Sequence, residues 1–327
     1  MVSAVIFVAT SCVSPLTGFA FWETNLAYEG ESIYNYLQVK NLSDRTILST
    51  NVLFGVQSVT MKDKGLTGMY YDTALAAPAL ADNANSALIL GMGTGTYARQ
   101  LKQYYPKMNI TGVEIDQKIT DLAGEYFDEP ADIPVTTYDG RAWLAASHDK
   151  YDVIMVDAYQ DITIPFQMSS TEFFTMVREH LNPGGVMVVN MNMISDGQGS
   201  INEALSDTIA SVFGNGNTLT ADVPNTTNRE LFAKKPGSGS EENSMQQASK
   251  ALNLRATTYE RTGSEDLEWY MEEVAFRFRK VNEPDSASTI LTDDKAPVEV
   301  LGMHAIDQII ADEAGPYRQY APHSMTT

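Results

Sequence analysis

The chain has 327 residues, 43 % of them hydrophobic, enough for one large α/β core with a smaller appended unit. Its 42 acidic against 22 basic side chains give a formal charge of −20, which argues against a nucleic-acid partner and favours a small cationic one. A single cysteine, Cys12, leaves no intrachain disulfide framework. The four histidines lack metal-ligand spacing, so no metal site is expected.

Met1 to Phe21 carries no charged residue and ends in Phe19, Phe21 and Trp22, the pattern of an apolar segment closed by an interfacial aromatic belt. Pro15 and Gly18 oppose a full span, and the missing basic n-region opposes a signal peptide. Residues 1–22 therefore keep two readings, a membrane anchor of a cytoplasmic domain and a tucked-in terminus. Residues 23–68 read as a small antiparallel β unit: Tyr34 to Val39, Thr46 to Thr50 and Val52 to Thr60 are β-like, broken by Asn41-Leu42-Ser43-Asp44 and Gly55.

From residue 69 to 235 the spacing predicts a doubly wound, Rossmann-like α/β domain with a mostly parallel seven-stranded sheet. A helical stretch, Tyr70 to Leu80, precedes the break Asp82-Asn83-Ala84-Asn85. Strands are expected at Ser86 to Leu90, Ile110 to Ile115, Val135 to Tyr138, Val153 to Val156 and Val186 to Asn190, then at Thr218 to Val223 and Glu230 to Lys234. Helices are expected at Thr96 to Tyr105, Gln117 to Phe127, Thr171 to Leu181 and Ile201 to Phe213, the third closed by Asn182-Pro183-Gly184-Gly185. Residues 236–250, Gly- and Ser-rich, read as a flexible loop, and 251–327 as a C-terminal helical extension that includes Leu267 to Val281.

The strongest local signal is Ala87-Leu88-Ile89-Leu90-Gly91-Met92-Gly93-Thr94-Gly95-Thr96, a buried strand entering a glycine-rich turn and then a helix. Glycine lets the backbone turn sharply and admits a ligand with no Cβ in the way. Glu114 ends the next strand 23 residues after Gly91, where a carboxylate takes both ribose hydroxyls. Tyr138-Asp139-Gly140 follows the third strand, with Asp139 set to take an adenine amino group, which favours an adenosylmethionine site over an NAD site. Asp157 ends the fourth, in the crevice where open α/β sheets bind ligands, and can hold and deprotonate an attacking amine. Each residue also has an ordinary structural use: a tight βα turn for the glycines, a helix cap for Glu114, a cap or loop brace for Asp157.

These motifs together resemble the spermidine synthase (polyamine aminopropyltransferase) family over about Tyr28 to Lys235. Glu31 to Val39 is similar to the family's N-terminal β unit. Gln57 and Met69-Tyr70-Tyr71-Asp72 look like its substrate-facing Gln and its Tyr-His-Glu stretch, and Pro165 to Phe174 resembles the segment after the catalytic aspartate. Asn228 to Ala233 and Leu291 to Glu299 look most like the branch fused to a membrane-embedded part.

The resemblance implies transfer of the aminopropyl group of decarboxylated S-adenosylmethionine to a small, putrescine-like amine, without a metal. By motif, Gln57, Gly91, Gly93, Gly95, Glu114, Asp139 and Gly140 would bind the co-substrate. Tyr70, Asp72, Asp157 and Tyr159 would meet the amine, and Asp157, with Tyr70 and Asp161, would carry the catalysis as general base. A homodimer is implied too. Two departures stand out: Thr94 replaces the aspartate usual in the glycine turn, and Gln160 replaces an acidic residue, with Asp161 adjacent. Thr94 keeps intact S-adenosylmethionine and methyl transfer open as an alternative. A membrane-tethered nucleoside-binding domain without turnover is the third.

Overall fold

The computed structural model describes residue 20 and residues 23–51, 55–128, 130, 132–158, 164–192, 199–237, 244–286 and 288–303. Tyr159, Asp161 and all but Ala20 of the apolar N-terminal segment lie outside them, as do residues 304–327 of the C-terminal extension. Among the described residues no helix is long and apolar enough to cross a membrane. Ala20 is 1 % exposed, and its N–H donates to Glu29 Oε1 at 3.0 Å, which ties it to the small β unit.

That unit is a four-stranded antiparallel meander of β1 (Leu26–Glu31), β2 (Tyr36–Asn41), β3 (Arg45–Thr50) and β4 (Ser58–Met61). Leu37, Val39 and Leu48 point to one face and are buried with Ile119, Leu122 and Phe127 of the larger domain, as the two-residue period of a strand dictates. Polar bonds tie the two units as well. Ser32 Oγ and Asn35 Nδ2 donate to Asp116 Oδ2 at 2.5 and 3.0 Å, and Val59 exchanges backbone bonds with Thr96 Oγ1.

The larger sheet runs β12-β10-β11-β9-β8-β5-β6-β7. Its parallel half comprises β5 (Ser86–Leu90), β6 (Asn109–Glu114), β7 (Val135–Thr137), β8 (Tyr151–Val156) and β9 (Leu181–Asn192). The other three are β10 (Thr218–Asp222), β11 (Asn228–Lys234) and β12 (Phe278–Lys280), all antiparallel. The chain order reverses between β5 and β8, where β5 pairs β6 on one side and β8 on the other, and a crevice opens at the carboxyl ends.

Both faces of the parallel strands are apolar, so helices cover both. Ala87, Ile89, Met155 and Val188 face α1 (Tyr70–Ala74), α2 (Ala76–Leu80) and α3 (Thr96–Tyr104). Leu88, Leu90, Ile154 and Val189 face the opposite way, in a core with Phe173, Phe174 and Val177 of α6 (Thr171–His180) and Leu205 and Ile209 of α7 (Ile201–Phe213). Two further helices, α4 (Gln117–Tyr126) and α5 (Gly140–Ala146), follow β6 and β7.

Three expectations change. Among the described residues the sheet has eight strands, because the helix expected over 267–281 stops at Arg277 and Phe278–Lys280 pairs with β10 as an added edge strand. That helix is α10 (Glu265–Arg277), preceded by α8 (Ser244–Ala248) and α9 (Ala251–Thr262). Helix α8 falls inside the stretch expected to be loop, and the core claims Met245, which is fully buried there. Finally, Asn182-Pro183-Gly184-Gly185 lies within β9: the β8 pairing jumps from Tyr151↔Leu181 to Val153↔Val186, so the extra residues bulge out of the strand.

Candidate active site

A cavity of about 330 Å³ opens where the ends of β5, β6, β7 and β8 meet the small β unit. It begins at the turn after β5. Gly91 holds φ +89°, and a Cβ there would stand 2.4 Å from the Asp157 carbonyl oxygen, so only glycine lets the β5 and β8 ends approach this closely. Gly93 (φ +55°) faces Ser58 Oγ and also lines the cavity. Gly95 (φ +82°) caps α3 one step behind the wall, so its contribution is to the turn. Thr94 does not line the cavity: it is fully buried, and its hydroxyl has no hydrogen-bond partner among the described residues.

Glu114, at the end of β6, is 7 % exposed. Its Oε2 accepts from Gly93 N at 2.8 Å and its Oε1 from Asp116 N at 3.0 Å. Burial pushes its carboxyl above the usual range, and the two backbone donors pull it back. Glu114 does not cap a helix; Asp116 caps α4 through Lys118 N. Asp139 and Gly140 line the cavity at the end of β7 beside Tyr138, which is half exposed. Asp139 also caps α5: its Oδ1 accepts from Ala142 N at 2.7 Å, and that bond fixes its carboxylate at the cavity wall.

Asp157 follows β8, and its backbone N–H still bonds Leu90 O at 2.9 Å, which continues the β5 pairing past the strand end. Each carboxylate oxygen has one donor: Tyr70 OH to Oδ2 at 2.7 Å and Asn190 Nδ2 to Oδ1 at 2.9 Å. Burial raises its carboxyl to about 7, the two hydrogen bonds act against the rise, and the charge of Glu114 adds to it. A carboxyl titrating near neutrality both carries charge and accepts a proton at working pH. Tyr70 stacks on Tyr71, ring centroids 4.0 Å apart, and burial holds both phenols protonated. Tyr71 OH donates to Gln57 O at 2.7 Å, which fixes Gln57 against the cavity.

Asp72 does not join them. It is 1 % exposed, and its carboxylate accepts from Thr67 N, Thr67 Oγ1, Gly68 N and Gln100 Nε2 at 2.6–2.9 Å. With that shell it braces the turn before α1, so the expected amine contact is corrected to a structural role. Sequence reasoning passed over Asn190 and Asn228, whose Nδ2 donates to Asn190 Oδ1 at 2.9 Å. The available signal was a polar residue ending an otherwise apolar strand at the carboxyl edge of the sheet.

The spermine/spermidine synthase domain pattern matches residues 69–235, which contain every strand end just described. Over 319 residues, 98 % of this chain and 72 % of its relative, the sequence is 99 % identical to a probable polyamine aminopropyl transferase of Bifidobacterium longum (strain NCC 2705). The fold is shared with a probable spermidine synthase from Corynebacterium glutamicum ATCC 13032, with a TM-score of 0.57 at 21 % identity over 82 % of this chain and 99 % of that one. It is shared too with a spermidine synthase in complex with the transition-state analogue AdoDATO, with a TM-score of 0.54 at 19 % identity over 65 % and 75 % of the two chains. By the domain match and the near-identity to its Bifidobacterium relative, the chain belongs to the spermine/spermidine synthase family and is a transferase.

Proposed function

We propose that this chain moves the aminopropyl group of decarboxylated S-adenosylmethionine to a small cationic amine of the putrescine type. The observation that carries the reading is Asp157, held between Tyr70 and Asn190 with a carboxyl near 7, in the cavity that Glu114 and Asp139 also line. Glu114 takes the ribose hydroxyls with the lone pairs its backbone donors leave open. Asp139 takes the adenine amino group, and Gly91 and Gly93 let the sulfonium approach the turn. The family membership and the AdoDATO complex of a structural relative support a decarboxylated co-substrate.

The acceptor arrives as an ammonium ion and gives one proton to the Asp157 carboxylate as it becomes nucleophilic. Its nitrogen lone pair then attacks the aminopropyl carbon bonded to the positive sulfur. The carbon–sulfur bond breaks toward sulfur, which leaves as the neutral thioether methylthioadenosine. Positioning supplies much of the rate, because the sulfonium is already a good leaving group. No acid stands in the glycine turn, where Thr94 is buried and neutral, so the Asp157 charge supplies the discrimination against a tail that bears a carboxylate.

Incubation with decarboxylated S-adenosylmethionine and a panel of diamines tests the reading, with methylthioadenosine release as the signal. Release with at least one diamine is expected, and silence across the panel overturns it. Buried, uncharged Thr94 favours one second reading, methyl transfer from the intact cofactor, which would yield adenosylhomocysteine instead.

A further inference from the structure

The turn between β1 and β2 brings the small unit to the cavity. Glu31 and Tyr36 are the last pair of the two strands, and between them Tyr34 and Asn35 line the cavity with Glu114 and Ile115. Ser32 shapes this turn: its N–H donates to Asn35 O at 2.8 Å, and its Oγ accepts from Tyr34 N at 3.0 Å and from Asn35 N at 2.9 Å. Those bonds fix the form of the turn but not its place against the larger domain. Ile33 at its tip is 90 % exposed, so burial does little to hold it there.

Asp116, which follows β6 and is 1 % exposed, supplies the hold. Its Oδ2 accepts from Ser32 Oγ at 2.5 Å and from Asn35 Nδ2 at 3.0 Å, while its Oδ1 caps α4 by accepting from Lys118 N at 3.0 Å. Ser32 Oγ also stands 3.4 Å from Asn35 O, but it has one hydrogen, and the carboxylate is the nearer, charged acceptor. Asn51 Nδ2 donates to Asn35 Oδ1 at 2.9 Å, which turns the N–H end of the Asn35 amide toward Asp116. The backbone of Asp116 serves the other side, since its N–H donates to Glu114 Oε1 at 3.0 Å. One residue thus joins the acid that lines the cavity from β6 to the turn that lines it from the small unit.

We propose that Asp116 is a positioning residue for the nucleoside end of the co-substrate: its side chain clasps the Ser32–Asn35 turn so that Tyr34 and Asn35 stand at the cavity wall, while its backbone orients Glu114. Asp116 does not line the cavity, so it acts through these neighbours. Leu37, Val39 and Leu48, packed on Ile119, Leu122 and Phe127, seat the body of the small unit with or without the clasp. Opening the clasp therefore frees the turn and leaves the unit in place.

The inference rests on the proposed adenosyl site for its kinetic consequence, and its test has a readout that does not. D116S keeps a capping oxygen for α4 and withdraws the one that reaches the turn. In the unliganded full chain, the Tyr34, Asn35 and Tyr36 amides should exchange hydrogen about tenfold faster by NMR, with those of α4 unchanged. The calorimetric dissociation constant of methylthioadenosine, or of adenosylhomocysteine if the wild type binds that instead, should rise about tenfold. The co-substrate KM should rise with it, while kcat and the amine KM stay within about twofold. D116N should fall between: its amide gives its oxygen to Lys118 N, which can only donate, and sets its NH2 against that of Asn35, for a loss of about threefold. Should D116S not fold, D116N decides by the same readouts.

Unchanged exchange in the turn overturns the proposal. Faster exchange with unchanged nucleoside affinity overturns it too, as does an equal rise in both KM values. If the wild type binds neither nucleoside, the clasp falls with the site it serves. Exchange and nucleoside affinity that both move, in a protein that forms no aminopropylated amine, support the clasp and refute the transfer reading, so the two failures separate.

Discussion

Tyr70→Phe removes one atom, the hydroxyl that donates to Asp157 Oδ2 at 2.7 Å, and leaves the ring stacked on Tyr71. A hydrogen bond to a charged group contributes about 1.5–3 kcal/mol, equivalent to about one to two decades of proton affinity. With the wild-type carboxyl near 7, about half of Asp157 is ionised at pH 7. After a tenfold rise in proton affinity about one molecule in eleven is ionised, so kcat/KM at pH 7 should fall about fivefold or more. The sign matters more than the size: the bond stabilises the base form, so the acid limb of the profile moves to higher pH and the loss shrinks as pH rises. Methylthioadenosine release between about pH 6 and pH 10 reads this out, at saturating co-substrate and limiting amine. An unmoved limb, or an equal loss at every pH, would refute the account of how Tyr70 and Asp157 work together.

Asp157→Asn should abolish turnover yet stabilise the fold in alkali. The native carboxyl sits near 7 and an unfolded one near 3.9, so wild-type stability falls as pH rises from about 4 to 7 and stays low above that. Removing the charge should raise stability at pH 8 by about 1–3 kcal/mol, after discounting for partial solvent access, and change little at pH 4; paired thermal melts check both values. Gly91→Ala puts a methyl 2.4 Å from the Asp157 carbonyl oxygen at φ +89°, and should cost about 3 kcal/mol or more by denaturant melts, with loss of co-substrate binding. Asp72→Ala strands four donors and should cost about 3–5 kcal/mol. The milder Asp72→Asn should lower the melting temperature with the amine KM within about twofold of wild type, and a selective rise in that KM would restore Asp72 to the substrate site.

The parallel half of the sheet was legible because its signals are local. Three apolar runs and the short Val135–Thr137 strand end at Gly91, Glu114, Asp157 and Asp139, and strand period with turn chemistry places those residues at one edge. Asp72 misled because its sequence neighbours Tyr70 and Tyr71 do face the cavity; on a helix the next residue points elsewhere, and only the tertiary fold brings Thr67, Gly68 and Gln100 around it. The partnership of Asn190 with Asn228 was out of reach for the same reason, since 38 residues separate them and β-pairing alone joins them. Strand β12 escaped because three residues after a helix carry too little pattern to be told from its fraying end.

The central claim is that the Asp157 site transfers an aminopropyl group from a tail that lacks a carboxylate. The most direct measurement supplies intact and decarboxylated S-adenosylmethionine together with one diamine and weighs the product amine by mass spectrometry, with D157N alongside. The account predicts an amine heavier by one aminopropyl unit, formed with methylthioadenosine and absent in D157N. An amine heavier by one methyl group, accompanied by adenosylhomocysteine, would contradict it.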